Sequence, residues 1–326
     1  IDMDGRGEYI TIEENTLNGS FSPSSVSSHN YDIISNNTGA ANIYNHCIIR
    51  KNEIHGGTYC IYLYGISSEL ETGNVVDSNV IIDHVYSAIS MNYQENLQVR
   101  GNTINSPGTS ATTYGIYSQY GQHINIVGNN LDIKAVTTGY GIYLDNDDGS
   151  AADPNLVANN MVSVLDNSGT TYGIYAYRQD TTWIYHNSVL VNSTSATGGR
   201  ALYINKTSTE GSDLQVVNNS FVNSGAGFAV EVASNASSNY ITQMDYNNLY
   251  SLGTDLGKFG ATSTTDLTAW KVASTFDANS LSGNPLVLAN NDLHVVGPLL
   301  DNMGTPLAQV TIDIDGDVRS ATTPDI

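Results

Sequence analysis

A six-residue pattern recurs nine times between Ile12 and Leu249: an apolar residue, two variable residues, an Asn, one variable residue and a second apolar residue. Its Asn positions are Asn15, Asn52, Asn79, Asn102, Asn129, Asn159, Asn187, Asn219 and Asn247. Successive Asn residues are 23 to 37 residues apart. Repeats of roughly 20 to 50 residues are typical of solenoids, in which each repeat packs only on its neighbours. The pattern therefore predicts one elongated domain.

A second apolar column distinguishes between two kinds of solenoid. Its members lie in short segments of alternating polarity: Ile61, Ile89, Ile116, Ile142, Ile174, Leu202 and Val230. A leucine-rich horseshoe would need a helical apolar spacing between the Asn positions, and the sequence has none there. The pattern favours an all-β, single-stranded, right-handed parallel β-helix, with its apolar columns facing inward at about 4.8 Å per coil. The Asn column is then predicted to be a structural ladder of stacked amides.

The repeat ends near residue 250 and predicts a two-part layout. Residues 1–250 are expected to form the coils, with a Ser-rich excursion at 20–30, and residues 251–326 a C-terminal cap. In the cap we predict a short helix with Thr265 as its N-cap, a final incomplete coil at 280–304 and a closing strand at 310–314. Trp270, on the apolar face of that helix, is expected to plug the open end of the coils.

Over residues 8–250 the chain resembles the secreted right-handed parallel β-helix proteins with Asn-punctuated coils, among them large surface proteins of Bacteroidetes-like bacteria. Lyases, glycosidases, tailspikes and adhesins share this fold, so the resemblance implies little about activity. The closing segment also resembles the end of many such helices, in Phe276-Asp277-Ala-Asn279-Ser280, Asn284-Pro285-Leu286 and Asp313-Ile-Asp315-Gly316-Asp317-Val-Arg319. In that family a Gly-Ala-Asp-Glu sequence follows, whereas this sequence stops at Ile326, so we expect it to be part of a longer polypeptide.

The charge balance excludes two classes of partner. Eleven Lys and Arg stand against 32 Asp and Glu, a formal net charge of −21. Nucleic acid and anionic membranes both require a cationic footprint, so neither is an expected partner. The sequence also has no apolar run long enough to enter a bilayer. Cys47 and Cys60 are the only cysteines and are predicted to be free thiols, without a disulfide framework.

Two acidic clusters are candidate calcium sites, because Ca²⁺ prefers six to eight oxygen ligands of this kind. The first is Asp145, Asp147, Asp148 and Asp153, in a loop after Leu144. The alternative there is a solvated turn, since the spacing departs from the usual calcium loop. The second is Asp313, Asp315 and Asp317, which would face one way on a strand and bind a metal or pair with Arg319. Nothing in the sequence implies an organic cofactor.

Tyrosines suggest a ligand-binding face. Tyr117, Tyr143, Tyr175 and Tyr203 each follow an inward Ile or Leu on consecutive coils, so they should point outward. Further outward-facing residues join them: Tyr64, Tyr177, Gln119 and Arg178. Aromatic rings beside amides suit the apolar faces and hydroxyls of sugars, which predicts an extracellular polysaccharide or cell-surface glycan as the partner. The alternative is a ladder of tyrosines that stack on one another and brace the coils.

No catalytic constellation is assembled in the sequence. A glycosidase needs two carboxylates around the bond, and on the tyrosine side only Asp145 and its loop neighbours qualify. His186 is expected to be a surface turn residue rather than a base, and Glu13, Arg50, Asp77 and Arg100 an outward ladder of alternating charge. The sequence thus favours a non-catalytic extracellular or cell-surface module, a stiff spacer or adhesin that binds glycan. The alternative is a carbohydrate-active enzyme, a polysaccharide lyase or glycoside hydrolase.

Overall fold

The computed structural model describes residues 1–3, 5–19, 32–36, 42–165, 169–193, 195, 197–206, 211–236 and 240–326. The expected excursion at 20–30 lies outside these residues. In the described part the chain winds as an all-β parallel solenoid, as predicted from the repeat. Each coil contributes strands to three sheets that run along the solenoid axis. Two-stranded parallel pairs add to them, Arg6–Glu8 with Ile43–Asn45 and Glu71–Thr72 with Gln94–Glu95.

The three sheets are built in strict sequence order. The first, called the tyrosine sheet below, contains Asp2–Met3, Ile34–Asn36, Tyr59–Tyr64, Ser87–Asn92, Thr112–Gln119, Thr138–Asp145, Thr170–Tyr177, Gly199–Asn205, Gly227–Val232, Gly257–Phe259 and, antiparallel at its end, Thr262–Thr264. The second contains Thr11–Glu13, Ile48–Arg50, Val75–Asp77, Gln98–Arg100, Asn125–Val127, Asn155–Ala158, Asp180–Tyr185, Ser212–Val217 and Ile241–Asp245. The third contains Thr16–Asn18, Glu53–His55, Val80–Ile82, Thr103–Asn105, Asn130–Lys134, Met161–Leu165, Ser188–Asn192, Ser220–Asn223 and Asn248–Ser251.

The core is a continuous column of apolar side chains enclosed by the three sheets. The predicted inward column is paired in register, from Ile89 through Ile116 and Ile142 onward along the tyrosine sheet. These three side chains are fully buried. Both cysteines are free, as expected, and both are buried. The predicted charge ladder forms as two exposed ion pairs, Arg50 with Glu13 at 2.5 Å and Arg100 with Asp77 at 3.3 Å.

The asparagine ladder runs through the bend between the second and third sheets. Asn79 is representative: its backbone N–H and its Nδ2 both donate to Oδ1 of Asn102, each at 3.0 Å, and Nδ2 also donates to the carbonyl of Ile49 at 2.9 Å. One predicted rung is wrong, because Asn160 occupies the ladder and not Asn159. Asn129 donates Nδ2 to Oδ1 of Asn160 at 2.9 Å.

The rung was misassigned because two adjacent asparagines serve different purposes at this bend. The residue before each ladder Asn has a left-handed backbone, with φ of 53° at Asn159 and 59° at Asn218. Asn and Gly tolerate that conformation better than most residues do, so Asn-Asn pairs are favoured here. The first Asn of such a pair makes the turn and the second makes the ladder.

The cap closes the ladder and the core together. The helix spans Leu267–Ser274, with Asp266 as its N-cap rather than the predicted Thr265. Trp270 is fully buried against the end of the coils, as predicted, and its Nε1 donates to Oδ2 of Asp277 at 2.7 Å. The other oxygen of Asp277 accepts the last ladder amide, Nδ2 of Asn247, at 3.0 Å. The carboxylate of Asp277 therefore accepts hydrogen bonds both from Trp270 and from the last Asn of the ladder.

After the helix, the chain turns back along the outside of the coils. The antiparallel pair Val287–Ala289 and Asp292–Val295 packs Leu293 against Met161 and Leu190 of the third sheet. The predicted strand at 310–314 is instead a turn closed by a bridge between Ile312 and Val318.

This returning segment covers His186, which is only 5% exposed and therefore not the surface residue predicted. His186 does lie at a turn of the coil, as predicted, but residues much later in the sequence cover its side chain.

Candidate functional site: the tyrosine face

The tyrosine face is built by three strands that share the sequence Tyr-Gly-Ile-Tyr: Tyr114–Tyr117, Tyr140–Tyr143 and Tyr172–Tyr175. Residues three apart on a regular strand point to opposite sides, yet both tyrosines of each copy face outward. The reason is a break in alternation, since the Gly and the Ile between them are both buried. A Cβ on Gly141 would lie 2.5 Å from the carbonyl oxygen of Gly173 in the next coil. Glycine thus allows the coils to approach closely here, although the break in alternation itself also occurs around Ala201, which takes the equivalent position in the coil after Gly173.

The rings form two adjacent stacked columns. In one, Tyr114 and Tyr140 have centroids 4.6 Å apart and Tyr140 and Tyr172 4.9 Å apart. In the other, Tyr143 and Tyr175 lie 4.6 Å apart with planes only 3° from parallel. Ring spacing matches the rise of about 4.8 Å between coils, so each ring covers its neighbour's face. The rings point outward, as predicted, and they stack on one another, as the alternative expected. Glycan binding at these residues stays a prediction.

Burial gives these phenols unusual acid-base properties. The tyrosines of both columns are half-buried, and the effect of burial outweighs that of Arg200, which lies over the ring of Tyr172 and stabilises a phenolate. Burial raises the pKa of Tyr140 to about 12, with a smaller contribution from neighbouring Tyr172. The pKa of Tyr143 and of Tyr175 is raised for the same first reason. All three stay neutral hydroxyl groups at physiological pH, able to donate and accept hydrogen bonds.

A polar row lies beside the second column, in register from coil to coil. It runs through Tyr64, Asn92, Gln119, Asp145, Tyr177 and Asn205. Asn92 donates to Gln119 at 2.7 Å, and Gln119 donates to Oδ2 of Asp145 at 2.8 Å. The hydroxyl of Tyr117 reaches the same oxygen at 3.3 Å. Most of the predicted ligand-binding groups are therefore engaged with one another.

Two arginines border the face. The guanidinium of Arg178 lies 4.5 Å from the ring centroid of Tyr177 and 4.0 Å from Oδ1 of Asp145. Arg200 lies over the rings of Tyr172 and Tyr203, at 5.3 and 5.2 Å, and is paired with Glu231. The cation–π contacts of Arg200 therefore lie at one end of the two stacked columns, whereas that of Arg178 lies in the polar row. Arg200 was not predicted as part of the face, although it occupies the register position of Tyr172 in the next coil.

The carboxylates on this face are far apart. Asp145 and Glu231 belong to strands three rungs apart in the tyrosine sheet. At about 4.8 Å per rung, their backbones are separated by roughly 14 Å. Glycosidases place their two carboxyl groups about 5 to 9.5 Å apart. Asp145 and Glu231 do not have the spacing of such a pair.

The first predicted calcium cluster diverges in the structure. Asp145 points to the tyrosine face, whereas Asp147 turns into the core, where Oδ1 accepts from Ser118 at 2.9 Å and from the backbone of Gly121 at 2.7 Å. Asp148 is exposed, and Asp153 lies near His123, with its Oδ2 at 3.6 Å from the ring Nδ1. The four carboxylates do not converge on one point.

The second cluster is a turn rather than a strand, so its aspartates do not alternate on one side. Oδ1 of Asp313 accepts the backbone N–H groups of Asp315 and Asp317, and Oδ2 of Asp315 pairs with His294 at 2.9 Å. Among the described residues Arg319 forms no ion pair with these aspartates and instead donates to Asn159 at 2.9 Å. Across the described ranges, no three His, Cys, Asp or Glu side chains are grouped in a way that could hold a metal ion. The predicted calcium sites are therefore not formed there.

Comparison with known proteins identifies the family. Residues 1–169 match the family described as NosD, periplasmic copper-binding protein. No curated protein matches the chain. Among solved structures, one similar fold is a mutant of DFA-IIIase from Arthrobacter chlorophenolicus in complex with DFA-III, at 13% identity, with 84% of this chain and 78% of that chain covered and a TM-score of 0.31. The described residues contain no helix of the length and hydropathy needed to cross a membrane. Because the match spans more than half of its 326 residues, the chain belongs to the NosD family.

Proposed function

We propose that the protein is a non-catalytic, exported β-helix module that acts as a stiff spacer outside the cytoplasm. The observation that carries the proposal is the mutual engagement of the tyrosine face. Its rings stack on one another, and the side chain of Asp145 is held by Gln119 and Tyr117. Groups that satisfy each other in this way resist deformation but leave few free for chemistry. The periplasmic description of the NosD family supports an exported location.

Copper binding, which the family description names, is not supported by the described residues. Copper prefers imidazole and sulfur ligands. Cys47 and Cys60 are both buried, and Met91 and Met244 belong to the apolar core. His84 is also buried, and burial lowers its pKa to about 4, but it has no grouping of further His, Cys, Asp or Glu ligands within the described ranges. We therefore assign copper no role in this proposal.

A second candidate function is binding of a neutral glycan along the outer edge of the tyrosine face. Half-buried tyrosines on consecutive coils present a row of neutral hydroxyl groups, spaced by the distance between coils. Since their ring faces are covered, contact with a sugar would use ring edges and hydroxyls rather than stacking. The side chain of Asn205 favours this candidate, because its buried Oδ1 makes no hydrogen bond and its Nδ2 reaches the hydroxyl of Tyr175 at 3.3 Å.

One pair of measurements tests both candidates. In the variant Tyr143→Ala/Tyr175→Ala, the spacer function predicts a clear fall in melting temperature, because two central members of a stack are lost. Tyr9→Ala is the control, since Tyr9 is 73% exposed at the other end of the chain. An unchanged melting temperature in the double variant would contradict the spacer proposal.

The second measurement is retention of the unmodified protein on polysaccharide affinity gels. Retention that disappears in the double variant but persists in Tyr9→Ala would establish the glycan candidate. If the parent protein is not retained on any gel, that candidate fails. Release of reducing ends or unsaturated uronate from a polysaccharide by the parent protein would overturn the non-catalytic assignment.

A further inference from the structure

A cleft lies on the opposite side of the molecule from the tyrosine face, between the coils and the returning C-terminal segment. Its volume is about 520 Å³, and its walls include Asn159 and His186 from the turns of the coils and Arg319 from the C-terminal segment. Ligand sites in proteins typically measure about 300 to 1,000 Å³. We call this space the C-terminal cleft.

The hydrogen bonds around His186 fix its tautomer. Oδ1 of Asn218 accepts the backbone N–H of Thr305 at 2.9 Å, which identifies the other end of this amide as the donor. Nδ2 of Asn218 then donates to Nε2 of His186 at 2.9 Å. An imidazole nitrogen that accepts a hydrogen bond carries no proton, so in the neutral ring the proton is on Nδ1. Burial and the nearby Arg319 lower the pKa of His186 to about 3, against a smaller opposing effect of the Asp325 backbone, so the ring is neutral.

Two buried N–H groups in the cleft walls make no hydrogen bond of normal geometry. Nδ1 of His186 is one of them, in a residue only 5% exposed: the backbone of Asp325 is near enough to raise its pKa slightly but does not complete such a bond. Nε of Arg319 is likewise buried and unpartnered, while its Nη2 is held by Asn159 at 2.9 Å. A buried donor without an acceptor is destabilising, so both groups favour a ligand that offers acceptor oxygens.

The charged groups on the remaining walls of the cleft determine which net charge the ligand should carry. Carboxylates of Asp301, Asp313, Asp315 and Asp325 line the same cleft. An anion would accept from the two donors but would be repelled by these carboxylates. A cation would suit the carboxylates but cannot accept from an N–H group. A neutral hydroxyl does both, because its oxygen accepts from N–H while its proton is donated to a carboxylate.

The apolar part of the cleft wall restricts the class of ligand further. Leu293, Pro298 and Ile314 contribute aliphatic surface beside the polar groups. A sugar ring has C–H faces that pack on such surface and hydroxyls around its edge. From this combination, we propose that the C-terminal cleft is a binding site for a neutral sugar, with Nδ1 of His186 and Nε of Arg319 donating to its hydroxyl oxygens. This site is separate from the tyrosine face and does not depend on it.

The test uses the full chain and ligand-observed NMR with millimolar neutral monosaccharides: glucose, galactose, mannose and fucose. Glucuronate and glucosamine serve as the anionic and cationic counterparts of glucose. We expect at least one neutral sugar to bind and, for glucose, both charged counterparts to bind more weakly. The variant Arg319→Lys keeps the positive charge but removes the Nε donor, and should weaken binding about tenfold or more.

Two further variants locate the site. His186→Gln keeps an acceptor for Asn218 and removes the imidazole N–H, so it should also weaken binding. Arg50→Lys, on the exposed ion pair with Glu13, should leave binding unchanged. The proposal is overturned if none of the neutral sugars binds, if glucuronate binds more tightly than glucose, or if neither cleft variant alters the affinity. Binding that is lost only in Tyr143→Ala/Tyr175→Ala would place the sugar on the tyrosine face and also overturn it.

Discussion

At the scale of single residues, the ladder explains why asparagine occupies its bend. From Asn52 onward, each ladder Asn accepts two hydrogen bonds through Oδ1 and donates from Nδ2 both along the ladder and to a backbone carbonyl, as in Asn102 at 2.9 and 3.0 Å. Aspartate could accept but not donate, and it would bring a charge into the interior. Asp277 is consistent with this rule, because it stands at the last position, where only acceptance is needed. Burial raises the pKa of its carboxyl group.

Replacing one rung should destabilise the protein. Asn129→Ala removes the partner of the backbone N–H and Nδ2 of Asn102, both in buried positions. We expect the free energy of unfolding to fall by about 1 to 3 kcal/mol, measured by denaturant titration. The adjacent Asn130, half-exposed and with no side-chain bond of this kind, provides the control variant Asn130→Ala. Equal effects of the two substitutions would contradict the structural role of the ladder.

A buried acid should make stability depend on pH. Burial raises the pKa of Asp147 to about 8, although hydrogen bonds from Gly121 and Ser118 oppose the rise. An unfolded Asp has a pKa of about 3.9. The protonated form is therefore favoured by folding, and its contribution is present below about pH 4 and is lost as pH rises toward 8. The variant Asp147→Asn has no carboxyl group to ionise at this position, so it should not lose this part of its stability as pH rises.

The measurement compares the free energies of unfolding of Asp147→Asn and the parent protein from pH 5 to pH 8. The difference should shift in favour of the variant by at least about 1.4 kcal/mol, the equivalent of one pKa unit. Effects of His84, His186 and Glu71 cancel in this comparison because both proteins contain them. Asp317→Asn, at an exposed position, is the control and should show no such trend. A difference that is constant with pH would contradict an elevated pKa of Asp147.

At the scale of elements, three strands of the tyrosine sheet have glycine at equivalent positions. Gly115, Gly141 and Gly173 approach the backbone of the following coil so closely that a Cβ would lie 2.5 Å from a carbonyl oxygen in each case. Two consecutive buried residues reverse the alternation of each strand at this position. The reversal also occurs around Ala201 in the following coil, so it requires a small residue, and glycine in addition allows the close approach of the coils.

Adding a single methyl group there should disturb the whole face. Gly141→Ala forces a Cβ against the carbonyl of Gly173, and overpacking of this kind costs about 1 to 3 kcal/mol. We expect a lower melting temperature and altered near-ultraviolet circular dichroism from the displaced tyrosines. Gly297→Ala is the matched control, since a Cβ at that position would have ordinary contacts, the nearest at 3.5 Å. An unperturbed tyrosine spectrum in Gly141→Ala would show that the close approach is not required.

At the scale of the whole molecule, repulsion among the many carboxylates destabilises the folded state. The formal net charge is −21 over 326 residues. Several of the few cations are already used, Arg50 and Arg100 in exposed pairs and Arg200 with Glu231. Exposed pairs contribute at most about 1 kcal/mol each, so they do not offset the repulsion among unpaired carboxylates.

Salt should therefore stabilise the protein. Raising NaCl from about 0.01 to 0.15 M shortens the screening length from about 30 to 8 Å. We expect the melting temperature to rise, with KCl giving the same increase because the effect depends only on ionic strength. Calcium chloride at equal ionic strength tests the calcium prediction, since a distinctly larger increase would indicate a specific site. A melting temperature that falls as NaCl is added would contradict dominant self-repulsion.

The repeat alone determined the fold. Stacking places equivalent residues of successive coils one rung apart, so a local pattern was enough to predict the inward column at Ile116 and Ile142 and the asparagine ladder. It also identified Tyr143 and Tyr175 as outward residues of the tyrosine face. These features depend on contacts between neighbouring coils, which repeat along the sequence.

Only the tertiary structure decided the features that break the repeat. Gly141 and Ile142 are both buried, which changes the phase of the strand and adds Tyr140 to the face beside Tyr143. The adjacent Asn159 and Asn160 were interchangeable by sequence, and only the backbone conformation separated the turn from the ladder. His186 is buried by residues more than one hundred positions later, which no periodic pattern records. A repeat specifies contacts between adjacent coils, whereas the returning segment makes contacts that occur once.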